Sequence, residues 1–263
     1  MLTILFLGDV VGEPGRNAVI AQLPRLKESL ALDFIIVNGE NAAGGRGITP
    51  KITIDLLRAG VSVITTGDHI WDQKEIFAFI ETEPRLLRPV NYPAGAPGNG
   101  SIVLETAKGK VGVTIVQGRT FMQPILENPF RAIEAAVEQM RTETPIIFVD
   151  AHAETTSEKI ALGRFLDGKV SAVIGTHTHV QTADERILLK GTAFITDLGM
   201  TGPAHGVIGA NPEGIIKRAE RGLPAKMVPN EDDKDKGQFN GVIFEFDETT
   251  NKVVNIQRIR KIF

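Results

Sequence analysis

Residues 169–179 read KVSAVIGTHTH. A short β-branched apolar run, the pattern of a strand buried on both faces, breaks at Gly175 into two histidines separated by a single residue. If that segment stays extended, the two side chains point to one face with their Cα atoms about 6–7 Å apart, a spacing that suits two metal ions or one ion gripped twice. An isolated H-x-H pair is more often two surface or hydrogen-bonded imidazoles. The deciding question is whether other apolar runs end in the same way.

They do. TILFLGD (3–9), DFIIVNGEN (33–41) and VSVITTGDH (61–69) each run from apolar strand into glycine plus an acidic residue, and TPIIFVDAHAE (144–154) runs into His152. Between them lie helical patterns: Val19, Ile20, Leu23 and Leu26; then a helix opened by Pro50 that carries Ile54, Leu57 and Arg58 and stops at Gly60; then Phe130, Ile133, Val137 and Met140. Strands alternating with helices predict parallel sheets with helices packed on their faces, and ligands of such sheets sit beyond the carboxyl ends of the strands. SIVLE (101–105) and KVGVTIVQG (110–118) predict a hairpin around Lys108 and Gly109. RILLKGTAFITDLG (186–199) and NGVIFEFDETTNKVVNIQRIRK (240–261) complete the strands, the second pair turning at residues 249–251, and EDDKDK (231–236) reads as a solvated loop. The expected architecture is an α/β fold, a two-sheet α/β sandwich with one active edge, formed as a single domain over residues 1–263.

Bulk properties narrow the chemistry. The chain has 263 residues, 42% hydrophobic and 23% charged, with a net charge of -3. Such a balance offers no basic field for a long nucleic acid. No apolar run approaches the roughly 18 residues a membrane span needs, and the apolar N-terminus lacks the basic flank of a signal peptide, so a cytoplasmic protein is expected. There are no cysteines, so a metal would be held by oxygen and imidazole nitrogen alone. That donor set suits manganese or iron, with zinc also allowed.

Four of the five histidines, His69, His152, His177 and His179, fall at strand ends, together with Asp9, Glu40, Asn41 and Asp68. Taken singly, Asp9 and Asp68 read as caps or turn residues, and His152 as a hydrogen-bonded core histidine. Gathered at one edge, these carboxylates would repel one another unless cations neutralised them. His205, in a loop, is open between a local hydrogen bond and the substrate pocket. Trp71 reads as packing.

The motifs GDVVGEPGR, VNGENAAGGRGIT, GDHIWD, GRTFM, DAHAETTSEK, GTHTHVQTAD and DLGMTGP resemble, over essentially the whole chain, the YmdB-like family of calcineurin-type metallophosphoesterases. Two features narrow the resemblance within that superfamily: Val11 stands where a D-x-H histidine would be, and Glu40 where the bridging residue is normally aspartate. The resemblance implies two divalent ions, one held by Asp9, Glu40, Asn41 and His179 and the other by Glu40, Asp68, His152 and His177, with Glu40 shared and His69 as proton donor. It implies hydrolysis of a small cyclic nucleotide, most simply a 2',3'-cyclic mononucleotide, by hydroxide generated from water between two metals. Asp68 departs from the family pattern, which has asparagine there; its extra charge should lower the Lewis acidity of its ion. Two other readings use the same residues: a non-catalytic nucleotide-binding signalling protein, and a phosphomonoesterase of the same superfamily. The sequence assigns no substrate-binding residue and leaves a homo-oligomer open.

Overall fold

The computed structural model describes every residue except 223, 225–227, 231–236, 248 and 263, so the acidic-basic loop at 231–236 lies outside the described residues. In chain order the elements are β1 (Leu2–Leu7), β2 (Asp9–Val10), α1 (Gly12–Ser29), β3 (Phe34–Asn38), α2 (Pro50–Arg58), β4 (Val63–Thr65), α3 (Ile76–Phe79), β5 (Ser101–Thr106) and β6 (Gly109–Gln117). There follow α4 (Pro129–Met140), β7 (Ile147–His152), α5 (Thr156–Leu166), β8 (Ala172–Thr176), β9 (Arg186–Ile187), β10 (Ala193–Ile195), β11 (Met200–Pro203), α6 (Pro212–Arg221), β12 (Gly237–Phe246) and β13 (Val253–Ile262).

The strands form two sheets. One is ordered β2-β11-β12-β1-β3-β4, with β13 also on β12; the other is β5-β6-β7-β8-β10-β9. Parallel pairing joins β1, β3 and β4 in the first and β6, β7, β8 and β10 in the second. Side chains alternate across each strand, and both faces are covered. Ile4 and Phe6 face inward with Phe34, Ile36 and Phe244, meeting Val113, Ile115, Phe148 and Ile174 of the other sheet. Leu5 and Leu7 face outward against Val19, Leu23 and Leu26 of α1 and Leu56 of α2. Ile133, Val137 and Met140 of α4 and Leu162 and Leu166 of α5 cover the outer face of the second sheet.

Three details differ from the sequence expectation. Ile20 is 42% exposed, since α1 buries a narrower stripe. In α2, capped by Thr49, the buried residues are Thr53 and Leu56, while Ile54 is 36% exposed, so the inward face is turned away from the Ile54 side. The third concerns GTHTH itself: β8 ends at Thr176, and His177 and His179 both take positive φ, 97° and 67°. The pair is a left-handed turn rather than an extended H-x-H, so the two rings do not share one strand face.

Candidate metal centre

The carboxyl ends of the parallel strands from both sheets meet at one edge. Asp9 lies in β2 just past β1, Glu40 and Asn41 follow β3, Asp68 and His69 follow β4, His152 ends β7, and His177 and His179 follow β8. Beneath them Asp150 ties the sheets together: its Oδ2 accepts from Thr65 Oγ1 at 2.6 Å and Asn38 Nδ2 at 3.1 Å, and its Oδ1 from Thr176 Oγ1 at 2.7 Å.

The proton positions on the histidines follow from their neighbours. His152 Nδ1 sits 2.7 Å from Thr176 Oγ1, whose hydrogen is already given to Asp150, so Nδ1 carries a proton and donates. His177 Nε2 lies 3.0 Å from Glu154 Oε2, and His179 Nδ1 lies 2.8 Å from the Ile208 carbonyl; both partners only accept. Each ring therefore turns its other nitrogen inward. His152 Nε2 faces Glu40 Oε2 and Asp68 Oδ1, each at 3.1 Å, and His177 Nδ1 at 3.2 Å. His179 Nε2 faces Asn41 Oδ1 at 3.1 Å, the amide being oriented by Nδ2 donating to the Gly45 carbonyl at 3.2 Å.

Acceptors facing acceptors require a cation between them. Glu40, Asp68, His152 and His177 each offer one donor atom within 4.8 Å of all the others. A proton on His152 meets part of this demand: burial opposes its charge, but Glu40 and Asp68 raise its pKa well above the ordinary value. The reciprocal effect outweighs burial at both carboxylates, holding Glu40 below its usual value and Asp68 well below the carboxylate range. One proton cannot serve His177 Nδ1 as well, and burial together with His152 pushes the His177 pKa down. At Asp9, Oδ2 accepts from the His177 amide at 3.2 Å while Oδ1 is buried with no partner. Burial pushes that carboxyl up to about 7, against the pull of His179 and His152. Imidazole nitrogens, carboxylate oxygens and one amide oxygen without sulfur fit hard or borderline divalent ions.

His69 stands apart from the four-residue cluster. Its Nδ1 is 3.2 Å from Asp72 Oδ2 and 3.3 Å from Arg46 Nη2, and its Nε2 is 3.6 Å from Asp68 Oδ2. A cavity of about 510 Å³ opens above the edge, lined by Glu40, Asn41, Gly45, Arg46, His69, Glu154, His177, Thr178, His179, Ile208 and Arg218. Gly44, Gly45 and Gly47 all take positive φ in the loop that forms one wall.

The profile of the YmdB-like protein family matches residues 5–259. The chain belongs to the YmdB-like family. It is 49% identical over 258 residues to the 2',3'-cyclic-nucleotide 2'-phosphodiesterase of Bacillus subtilis strain 168, covering 98% of this chain and 96% of that protein. It is similar to the crystal structure of a hypothetical protein from Thermus thermophilus, with TM-score 0.91, 40% identity and 99% of each chain covered. It is also similar to that of a phosphatase of Mycoplasma pneumoniae, with TM-score 0.92, 40% identity and coverage of 99% of this chain and 93% of that one. The fold is the two-sheet α/β sandwich of the metallophosphoesterases.

Several residues at this YmdB-like site escaped sequence reasoning. Glu154, Asp72 and Arg46 each contact a site histidine, and Arg218 reaches the cavity from α6. Glu154 falls two residues past His152 in DAHAE, which is the one local signal available. Asp150 reaches His152 through Thr176. Trp71 packs as expected, stacking on Phe77 at 4.9 Å and edge-on to Tyr92 at 5.7 Å. His205 is exposed in the loop after β11 and is not among the cavity residues.

Proposed function

We propose that this chain is a metal-dependent phosphodiesterase that opens 2',3'-cyclic mononucleotides to monoesters. The observation that carries it is the convergence of imidazole nitrogens and carboxylate oxygens beside a cavity sized for a small ligand. The 49% identity to a relative named for that activity supports the substrate class. Two divalent ions are proposed, one on Asp9, Glu40, Asn41 and His179 and one on Glu40, Asp68, His152 and His177. Manganese or iron fits the oxygen and nitrogen donors best, and zinc is allowed. When bound, such ions neutralise phosphate oxygens and acidify water at neutral pH.

The protein's own groups do the rest. Glu40 would be shared by the two ligand sets. Thr176, Glu154 and the Ile208 carbonyl fix the tautomers and ring orientations of His152, His177 and His179. His69 lines the cavity without belonging to the cluster, and its role is to give a proton to the departing ribose oxygen, which otherwise leaves as a strong base. The glycine loop lets the phosphate approach the backbone closely.

Phosphorus NMR with manganese and 2',3'-cyclic, 3',5'-cyclic, linear dinucleotide and monoester substrates tests the reading. Monoester should accumulate fastest from the 2',3'-cyclic substrate. Release of inorganic phosphate from monoesters, with cyclic nucleotides untouched, would replace the diesterase by a phosphomonoesterase; nucleotide binding without turnover would make the chain a sensor.

A further inference from the structure

Lys159 lies in α5 with its side chain completely buried. Its Nζ lies 2.6 Å from Asp197 Oδ2, and Asp197 is itself buried. Removing both charges from water is expensive, and a buried ion pair is weak support for stability by itself. The remaining contacts of the pair give it another use. The same Asp197 Oδ2 accepts from Thr178 Oγ1 at 2.7 Å and from the Thr178 amide at 3.1 Å, while Oδ1 accepts from the Gly199 amide at 2.8 Å.

Thr178 is the residue between His177 and His179, the two with φ of 97° and 67°. Left-handed backbone is costly for residues with a β-carbon and persists only where the surroundings enforce it. The turn also sends the two rings in different directions, His177 to the Glu40, Asp68 and His152 cluster and His179 to Asn41. Gly175, just upstream, leaves room for the lysine: a β-carbon there would lie 2.7 Å from Lys159 Cδ. The Gly199 carbonyl in turn accepts from the Asp9 amide at 3.1 Å, so the Asp197 turn also abuts the strand that presents Asp9.

We propose that Lys159, Asp197 and Thr178 form a positioning relay in which the buried ammonium holds the Asp197 carboxylate, and that carboxylate clamps the strained turn so that His177 serves one metal and His179 the other. The relay rests on the two-ion reading of the site. None of the three is among the proposed metal ligands; they act through His177 and His179, although Thr178 also lines the cavity.

The test is calorimetric titration of chelator-stripped full-length protein with manganese chloride, beside circular dichroism and thermal melting of the metal-free form. Asp197→Asn and Lys159→Met should weaken manganese binding at both sites by about 10- to 100-fold, the range for residues that orient metal ligands. Thr178→Val has nearly the same shape and removes only the hydroxyl bond; it should weaken binding about tenfold without changing the metal-free spectrum. Thr178→Ser should restore wild-type affinity. If the buried-pair variants fail to fold, the Thr178 pair decides. Wild-type affinity for two manganese ions in Thr178→Val overturns the relay alone, whereas a wild-type protein that binds no manganese overturns the two-ion reading and the relay with it.

Discussion

Asp68 brings a second carboxylate beside Glu40 into the His152 and His177 cluster, at the position where the resemblance leads asparagine to be expected. An amide oxygen can occupy the same place with one negative charge less, leaving the bound cation a stronger Lewis acid. Asp68→Asn should therefore keep manganese binding and hold or increase turnover, with the alkaline-rising limb of the rate profile moved to lower pH; a large loss of rate would give Asp68 a role of its own. His69, its neighbour, is outside the cluster but within the cavity. His69→Ala should retain both ions and lose about 10²- to 10⁴-fold in turnover of a cyclic nucleotide. With a nitrophenyl diester, whose leaving group needs no proton, the loss should shrink; equal losses on the two substrates would reject the acid role. Asp184 shows a different residue-level effect. Burial raises its pKa, but hydrogen bonds from Thr196 and Thr182 win and hold it below the ordinary value. A carboxyl lowered in the folded state stabilises above its unfolded pKa of about 3.9 and loses that contribution as pH falls through the folded value. The stability gap between wild type and Asp184→Asn, read by urea denaturation, should be full near pH 6 and narrow towards pH 3; a gap independent of pH would count against it.

At the level of elements, the strand ends were the legible part. A run buried on both faces has no choice about its neighbours, so TILFLGD, DFIIVNGEN, VSVITTGDH and TPIIFVDAHAE announced both the strands and the edge where Asp9, Glu40, Asp68 and His152 gather. What lay hidden depends on tertiary placement. Nothing local marks His177 and His179 as left-handed, since the carboxylate that clamps Thr178 comes from residue 197. Lys159 sits on α5, and packing of that helix against β7 and β8 encloses it. Asp72 and Arg46 meet at His69 from separate loops. The turn after β4 supplies a direct test of how tightly this edge is built. A β-carbon on Gly67 would collide with Glu40 Oε2 and His152 Nε2, both held in a buried cluster that cannot yield freely. Gly67→Ala should abolish manganese binding at the Glu40, Asp68, His152 and His177 site, seen as missing heat in calorimetry. Unchanged stoichiometry would mean the edge is more compliant than its packing indicates.

Across the whole molecule, the proposed ligands divide between the sheets: Asp9, Glu40, Asn41 and Asp68 lie in or follow strands of the first, and His152, His177 and His179 end or follow strands of the second. The site therefore exists only while the two sheets stay face to face. Their inner faces form one apolar cluster in which Phe148 of β7 packs edge-on against Phe244 of β12, ring centroids 5.1 Å apart, and lies 5.8 Å from Phe246. Phe148 is fully buried, so Phe148→Ala should destabilise the metal-free protein by about 3–5 kcal/mol through lost burial and the cavity left behind. Because the site and the rest of the apolar seam still join the sheets, both should unfold in a single urea transition at lower midpoint. A cation that binds only the paired sheets adds stability by mass action, about 2.7 kcal/mol at a free concentration one hundred times its dissociation constant. Manganese at that ratio to each protein's own dissociation constant should move the midpoint of wild type and of Phe148→Ala by the same free energy. Two separate transitions, or a manganese effect confined to one of them, would show that the sheets hold their halves of the site independently.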